Sequence, residues 1–147
     1  MKESIIRRSL CSNFRKVGRR DIFIRAIEDK ASAGTPDVFY CFKGISGWIE
    51  IKHIKEEPKK NLFKIAHYTL LQHLWLQQHQ YAGGRSWLFI RIKDTCYLLK
   101  VEDLKPYIIF VEADSERFSF KDIKEKAIYT ATNRKMDYEA LLNILIV

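Results

Sequence analysis

Three charged residues interrupt two otherwise apolar runs in "GTPDVFYCFKGISGWIEIKH" (residues 34–53). Asp37 heads the first run, and Glu50 and Lys52 lie inside the second. A buried charge is costly unless it is paired or holds a metal. These residues are therefore either ordinary surface charges at the open end of a sheet or a site. Two carboxylates brought together repel, and one must take up a proton unless a cation lies between them. A hard divalent ion such as Mg²⁺ suits that role, because it prefers oxygen ligands and keeps its remaining waters. An amine beside it can stabilise a developing phosphate charge or help to deprotonate a metal-bound water. The plain alternative is an exposed cross-strand cluster in which Lys52 only neutralises the acids.

The elements that would position these groups follow from the same stretch. Lys43-Gly44 suits a two-residue hairpin turn, with glycine supplying a positive φ. That turn makes opposed residue numbers sum to 87, so Phe42 faces Ile45, Tyr40 faces Gly47, Phe39 faces Trp48, Val38 faces Ile49 and Asp37 faces Glu50. Directly opposed residues have Cβ atoms about 4.5–5.5 Å apart. Alternation then sends Val38, Tyr40, Phe42, Ile45, Ile49 and Ile51 into a core. Asp37, Phe39, Cys41, Trp48, Glu50 and Lys52 go to the other face. A turn moved to Ile45-Ser46 would separate the two acids by roughly 13 Å along a strand.

Around this hairpin the sequence reads as mixed α/β. Ile6, Leu10, Phe14 and Val17 recur at helical spacing over residues 4–17, with Gly18 closing that helix. "DIFIRAI" is a first strand, and the first three strands are expected to be antiparallel. "TLLQHLWLQQHQYAGG" is a helix with Leu71, Leu74, Trp75 and Gln78 along one stripe. "SWLFIRIK" and "CYLLKV" are two further strands joined at Asp94-Thr95, and "DYEALLNILIV" is a final helix. No repeat or Pro/Gly linker divides the 147 residues, a length that suits one domain.

Composition narrows the partners. Lys+Arg 26 against Asp+Glu 18 gives a formal charge of +8, which favours an anionic partner, nucleic acid first among them. Cys11, Cys41 and Cys96 are odd in number and form no C-x-x-C pair, as expected of free thiols in a reducing, cytoplasmic setting. "MKESIIRRSL" carries charges where a signal peptide would be apolar. "LLNILIV" falls far short of the roughly 20 apolar residues of a membrane span, so no membrane partner is expected.

With these residues in place, the chain resembles the PD-(D/E)XK nuclease superfamily. Pro36-Asp37 and Glu50-Ile51-Lys52 match its signature. "GTPD", the Thr69-x-x-Gln72 helix ending in glycine, and "SWLFIRIKDTCYLLK" are similar to its Holliday junction resolvase-like and virus-type replication-repair nuclease (VRR-NUC) branch. The likeness runs from about residue 3 to 105 and leaves residues 106–147 as an extension of unknown role. It implies an α/β, restriction-endonuclease-like core, and Mg²⁺ (or Mn²⁺) held by Asp37, Glu50 and the main-chain carbonyl of Ile51. It also implies Lys52 as the catalytic lysine and phosphodiester hydrolysis of DNA, with branched DNA in replication, recombination or repair as the substrate.

The resemblance further implies a fourth acid, Glu3 or Glu28, and an active-site neighbour, Gln72, although Thr69 to Gln72 also reads as a helix capping box. It offers Arg25 as a DNA contact, and His53, next to Lys52 in the sequence, is the one histidine worth testing. His73 and His79 read as surface helix residues. Arg19 and Arg20, with Arg15 and Lys16, and Lys55, Lys59, Lys60 and Lys64 could follow phosphate backbones. Relatives that cut junctions work in pairs, which implies a homodimer or higher homo-oligomer through Phe39 and Trp48 or through "LLNILIV". A compact chain of this kind suits a phage or mobile element. Two other readings stay open: a site-specific double-strand endonuclease of homing or restriction type, and a catalytically silent nucleic-acid-binding protein of the same fold.

Overall fold

A computed structural model describes residues 3–27, 34–109 and 115–147. Helix α1 (Glu3–Gly18) leads into strand β1 (Ile22–Ala26), the hairpin β2 (Val38–Phe42) and β3 (Ile45–Ile54), and a short β4 (Leu62–Phe63). Helix α2 (Leu70–Tyr81) precedes β5 (Ser86–Ile92) and β6 (Thr95–Lys100). Then come β7 (Tyr107–Ile108), β8 (Glu116–Ser119), α3 (Phe120–Lys126), β9 (Tyr129–Thr132) and α4 (Tyr138–Leu145). The main sheet has the order β1-β2-β3-β5-β6-β9, and β4-β8-β7 form a small second sheet.

The first three strands are antiparallel, β3 and β5 are parallel, and the remaining pairs of the main sheet are antiparallel. This is the mixed α/β sheet, flanked by helices, that the sequence predicts. The hairpin turns at Lys43-Gly44, where both residues have positive φ (52° and 78°), the pattern whose twist matches that of paired strands. Val38 accordingly faces Ile49, and every ladder pair between β2 and β3 sums to 87.

Two apolar layers sandwich the sheet. On one side Ile6, Leu10 and Phe14 of α1 and Leu141, Leu142 and Leu145 of α4 pack on Ile24, Val38, Tyr40, Ile49 and Ile51. On the other, Leu76 of α2, Ile123 of α3 and Phe118 of β8 cover Leu88, Ile90 and Leu99. The C-terminal segment is thus woven into the fold, with β9 paired to β6 and α4 packed on the first helix.

Several details depart from expectation. Val17 is exposed, and Cys11 and Gly18 take its place on the buried side of α1. Gly18 keeps ordinary helical angles while Arg19 takes the positive φ of 52°. A side chain at position 18 would strike Ile22 Cγ2 at 2.7 Å, so glycine is required there by proximity. The β5–β6 turn lies at Lys93-Asp94, because Thr95 already pairs with Ile92. Helix α2 buries His73 and Leu76, leaving Leu71 and Leu74 at the surface.

Candidate active site

The β2–β3 hairpin carries its charged residues to the open end of its own ladder, where β3 runs on beside β5. The ladder closes at Val38–Ile49, so Asp37 stands just outside it in a bend instead of as a ladder pair of Glu50. Its carboxylate turns back on the neighbouring strand, and the Ile51 amide donates to Asp37 Oδ2 at 2.9 Å. The Ile27 amide donates to its main-chain carbonyl at 2.8 Å. Asp37 is thereby locked between β1 and β3, with 8% of its surface exposed.

Glu50 is fully buried and Lys52 nearly so, at 0% and 3% exposure. They are not surface charges. Lys52 Nζ lies 3.7 Å from Glu50 Oε1 and 3.9 Å from Glu3 Oε2, and it donates to the His67 carbonyl at 2.9 Å. The first turn of α1 therefore reaches the site through Glu3. Arg7, one turn further on, stands 3.8 Å from Asp37 Oδ1. The sequence reading missed Arg7, although its i, i+4 spacing from Glu3 places both on one side of the helix. Glu28, the other acid considered, lies outside the described residues.

Asp37, Glu50 and Glu3 set three carboxylates against the two cations Lys52 and Arg7. Asp37 and Glu50 are buried, whereas the Arg7 and Glu3 side chains stay 24% and 32% exposed. Carboxylate oxygens are the donors that a hard divalent cation takes. Among the described residues no three His, Cys, Asp or Glu side chains form a cage around one point. Asp37 and Glu50 are the buried carboxylates here that could hold such an ion.

His67 and Tyr68 border the site at Lys52. Tyr68 is 1% exposed, and its ring centroid lies 5.8 Å from Lys52 Nζ. Burial first, and the Glu50 charge second, push its phenol well above the ordinary range. Its hydroxyl is 2.8 Å from Nδ1 of His73, which is wholly buried. His73 is therefore a core residue, which corrects its reading as a surface one. His79 is also drawn inward, with Nδ1 2.7 Å from Ser86 Oγ. The two rings pack on Phe118 of β8, a contact distant in sequence that no periodicity in α2 signals.

The remaining expected residues are distributed around this centre. Gln72 completes a capping box with Thr69, each side chain bonding the other's backbone amide. Gly34, at φ 88°, brings the Gly34–Asp37 loop against α2, with an ideal Cβ 3.6 Å from Gln72 Cα and 3.3 Å from the Leu71 carbonyl. His53 is half-buried beside Arg91 of β5 and projects to the face opposite Lys52. Arg25 is exposed on β1, its guanidinium 4.2 Å above the Phe23 ring. Lys55, Lys59, Lys60 and Lys64 are exposed on the segment leaving β3. Arg19 and Arg20 are exposed at the far end of α1, about 24 Å from Glu3 at 1.5 Å per residue. Phe39 and Trp48 are half-buried in an aromatic row running from Phe23 to Trp75.

No family model matches this sequence, and no curated protein matches it. Among solved structures the fold is similar to that of Hjc, a Holliday junction resolvase from the archaeal hyperthermophile Archaeoglobus fulgidus. The TM-score is 0.56 at 12% identity, over 84% of this chain and 93% of that one. At that identity the likeness is one of fold: a mixed central sheet flanked by helices.

Proposed function

We propose that this chain is a Mg²⁺-dependent DNA endonuclease of the PD-(D/E)XK superfamily that hydrolyses phosphodiester bonds in branched DNA, working as a homodimer. One observation supports this above all. A single hairpin buries two carboxylates and a lysine together just beyond the end of its own ladder, on a fold similar to that of a Holliday junction resolvase. A core has no structural use for such a cluster, because apolar residues of similar volume would be at least as stable.

When bound by Asp37, Glu50 and the Ile51 carbonyl, the metal supplies Lewis acidity towards a phosphoryl oxygen and the attacking water. The chain's own residues do the rest. The Ile51 amide fixes the Asp37 carboxylate in one orientation. Lys52, held among Glu50, Glu3 and the His67 carbonyl, offers a localised positive charge to the phosphate as negative charge develops there. Lys55, Lys59, Lys60 and Lys64 bind the flanking backbone, an interaction that weakens steeply with salt. Exposed arginines on β1 and beyond α1 extend the basic surface away from the centre.

A cleavage panel with Mg²⁺ tests the reading, using a four-way junction, a flap, single strands and plain duplex. Asp37→Asn and Glu50→Gln should each lower cutting on the order of a hundredfold or more while junction binding persists. Undiminished cutting by either variant removes the assigned site. Cutting of one duplex sequence alone would instead indicate a site-specific nuclease, and binding without any cutting a silent binding protein.

A further inference from the structure

A lysine ammonium on four rotatable bonds is a poor catalyst unless something holds it. The two acids near Lys52 Nζ stand at 3.7 and 3.9 Å, too far for a hydrogen bond. The His67 carbonyl is at 2.9 Å, a charge-assisted bond of ordinary length. His67 presents that carbonyl from φ +62°, a conformation that residues other than glycine adopt only when their surroundings impose it. Those surroundings are visible one residue on. The Tyr68 amide donates to the Ile65 carbonyl at 3.1 Å, closing the turn. The Tyr68 ring lies on Phe118 at 5.5 Å and edge-on to His73 at 5.7 Å. Its hydroxyl shares the 2.8 Å hydrogen bond with His73 Nδ1. His73 itself packs against Phe118 at 5.6 Å and is anchored in α2, its amide donating to the Thr69 carbonyl at 3.1 Å.

From this geometry we infer that Tyr68 and His73 are positioning residues for Lys52, acting through the main-chain carbonyl of His67. The inference rests on the reading of Lys52 as the catalytic lysine. The buried pair clamps the turn at residues 65–68, the clamped turn holds His67 in its left-handed conformation, and that conformation aims the carbonyl at Nζ. Tyr68 and His73 are both buried, at 1% and 0% exposure, out of reach of a bound ligand. The clamp therefore governs turnover and leaves binding alone.

The test compares wild type with Tyr68→Phe, which keeps the ring and removes only the hydroxyl. Cleavage should show kcat down roughly tenfold, as small misplacements of a catalytic group do, with KM unchanged. A second readout needs no activity. In metal-free protein, acylation of Lys52 by an activated ester should be slower than that of Lys55, Lys59 and Lys60. In the variant it should rise several-fold while those three do not change. Lys52 reactivity and kcat both unaltered in Tyr68→Phe overturn the proposal. A third measurement uses the unaltered chain: the Lys52 ammonium should give a resolved ¹H–¹⁵N resonance at mildly acidic pH in the cold, protected by its bond to the carbonyl. Absence of that resonance also overturns it. If wild type cuts no DNA, the nuclease reading fails while labelling and resonance still decide the clamp.

Discussion

His73 carries a consequence for stability that follows from its burial alone. Desolvation lowers its pKa from 6.5 to about 4, so the folded protein keeps the imidazole neutral where the unfolded chain protonates it. For a depressed histidine the sign is fixed: the unfolded state binds the proton first. The contribution of the neutral ring is complete above pH 6.5 and is lost progressively as pH falls towards 4, by about 3 kcal/mol at that limit. Urea unfolding at pH 7 and pH 4 should show this loss in wild type. His73→Leu keeps the apolar packing but cannot titrate, so it starts from a lower stability and should lack that part of the decline. Equal declines in both proteins would assign the acid sensitivity to other groups. Tyr68, its partner, stays protonated throughout this window, since burial raises its pKa.

Among the elements, the β2–β3 hairpin determines whether a site exists, and two of its glycines serve it for different reasons. Gly44 needs its positive φ of 78° and has open space around it. Gly44→Ala should cost about 1–2 kcal/mol, the conformational term alone. Gly47 has no such φ, but a Cβ there would collide with the Tyr40 hydroxyl and come within 2.8 Å of the Arg85 carbonyl. That hydroxyl donates to the Leu145 carbonyl at 2.6 Å and accepts from Trp87 Nε1 at 2.9 Å, joining α4 to the sheet. Gly47→Ala should therefore cost about 3 kcal/mol or more, and denaturant titrations of the two variants should rank them in that order. Gly44 and the alternation around it were legible in the sequence because turn chemistry and period-two burial are local, and they sufficed to place Glu50 and Lys52. Helix α2 was not legible in the same way. Its leucines occur all round, and which side turns inward is decided by Tyr68 and Phe118, which meet His73 only in the folded chain. The two-residue strands β4 and β7 carry too little pattern to read, and β9 is specified by the free edge of β6 more than by its own residues.

For the whole molecule, the distribution of charge decides how two copies can meet. Each copy carries +8 and 30% charged residues, so association through most of the surface is opposed by repulsion. Helix α2, "LLQHLWLQQHQY", has no Asp, Glu, Lys or Arg. It exposes Leu71 at 54%, Leu74 at 41% and Tyr81 at 69%, beside the aromatic row that ends at Phe23, 49% exposed. Aromatic enrichment and charge depletion characterise the core of a protein interface, whereas a face for DNA would carry the lysines that instead cluster at residues 55–64. The α2 face is thus where a second copy of this chain should dock in the homodimer proposed above. Sedimentation at micromolar concentration should give twice the single-chain mass. Losing each leucine from the interface costs about 1.5–3 kcal/mol of burial, so Leu71→Glu with Leu74→Glu should weaken association by well over about tenfold and yield monomers. Ile128→Glu, at an equally exposed apolar residue elsewhere (46%), should leave the mass unaltered. A single-chain mass for the unaltered protein, or a dimer indifferent to both glutamates, would place the interface off this helix.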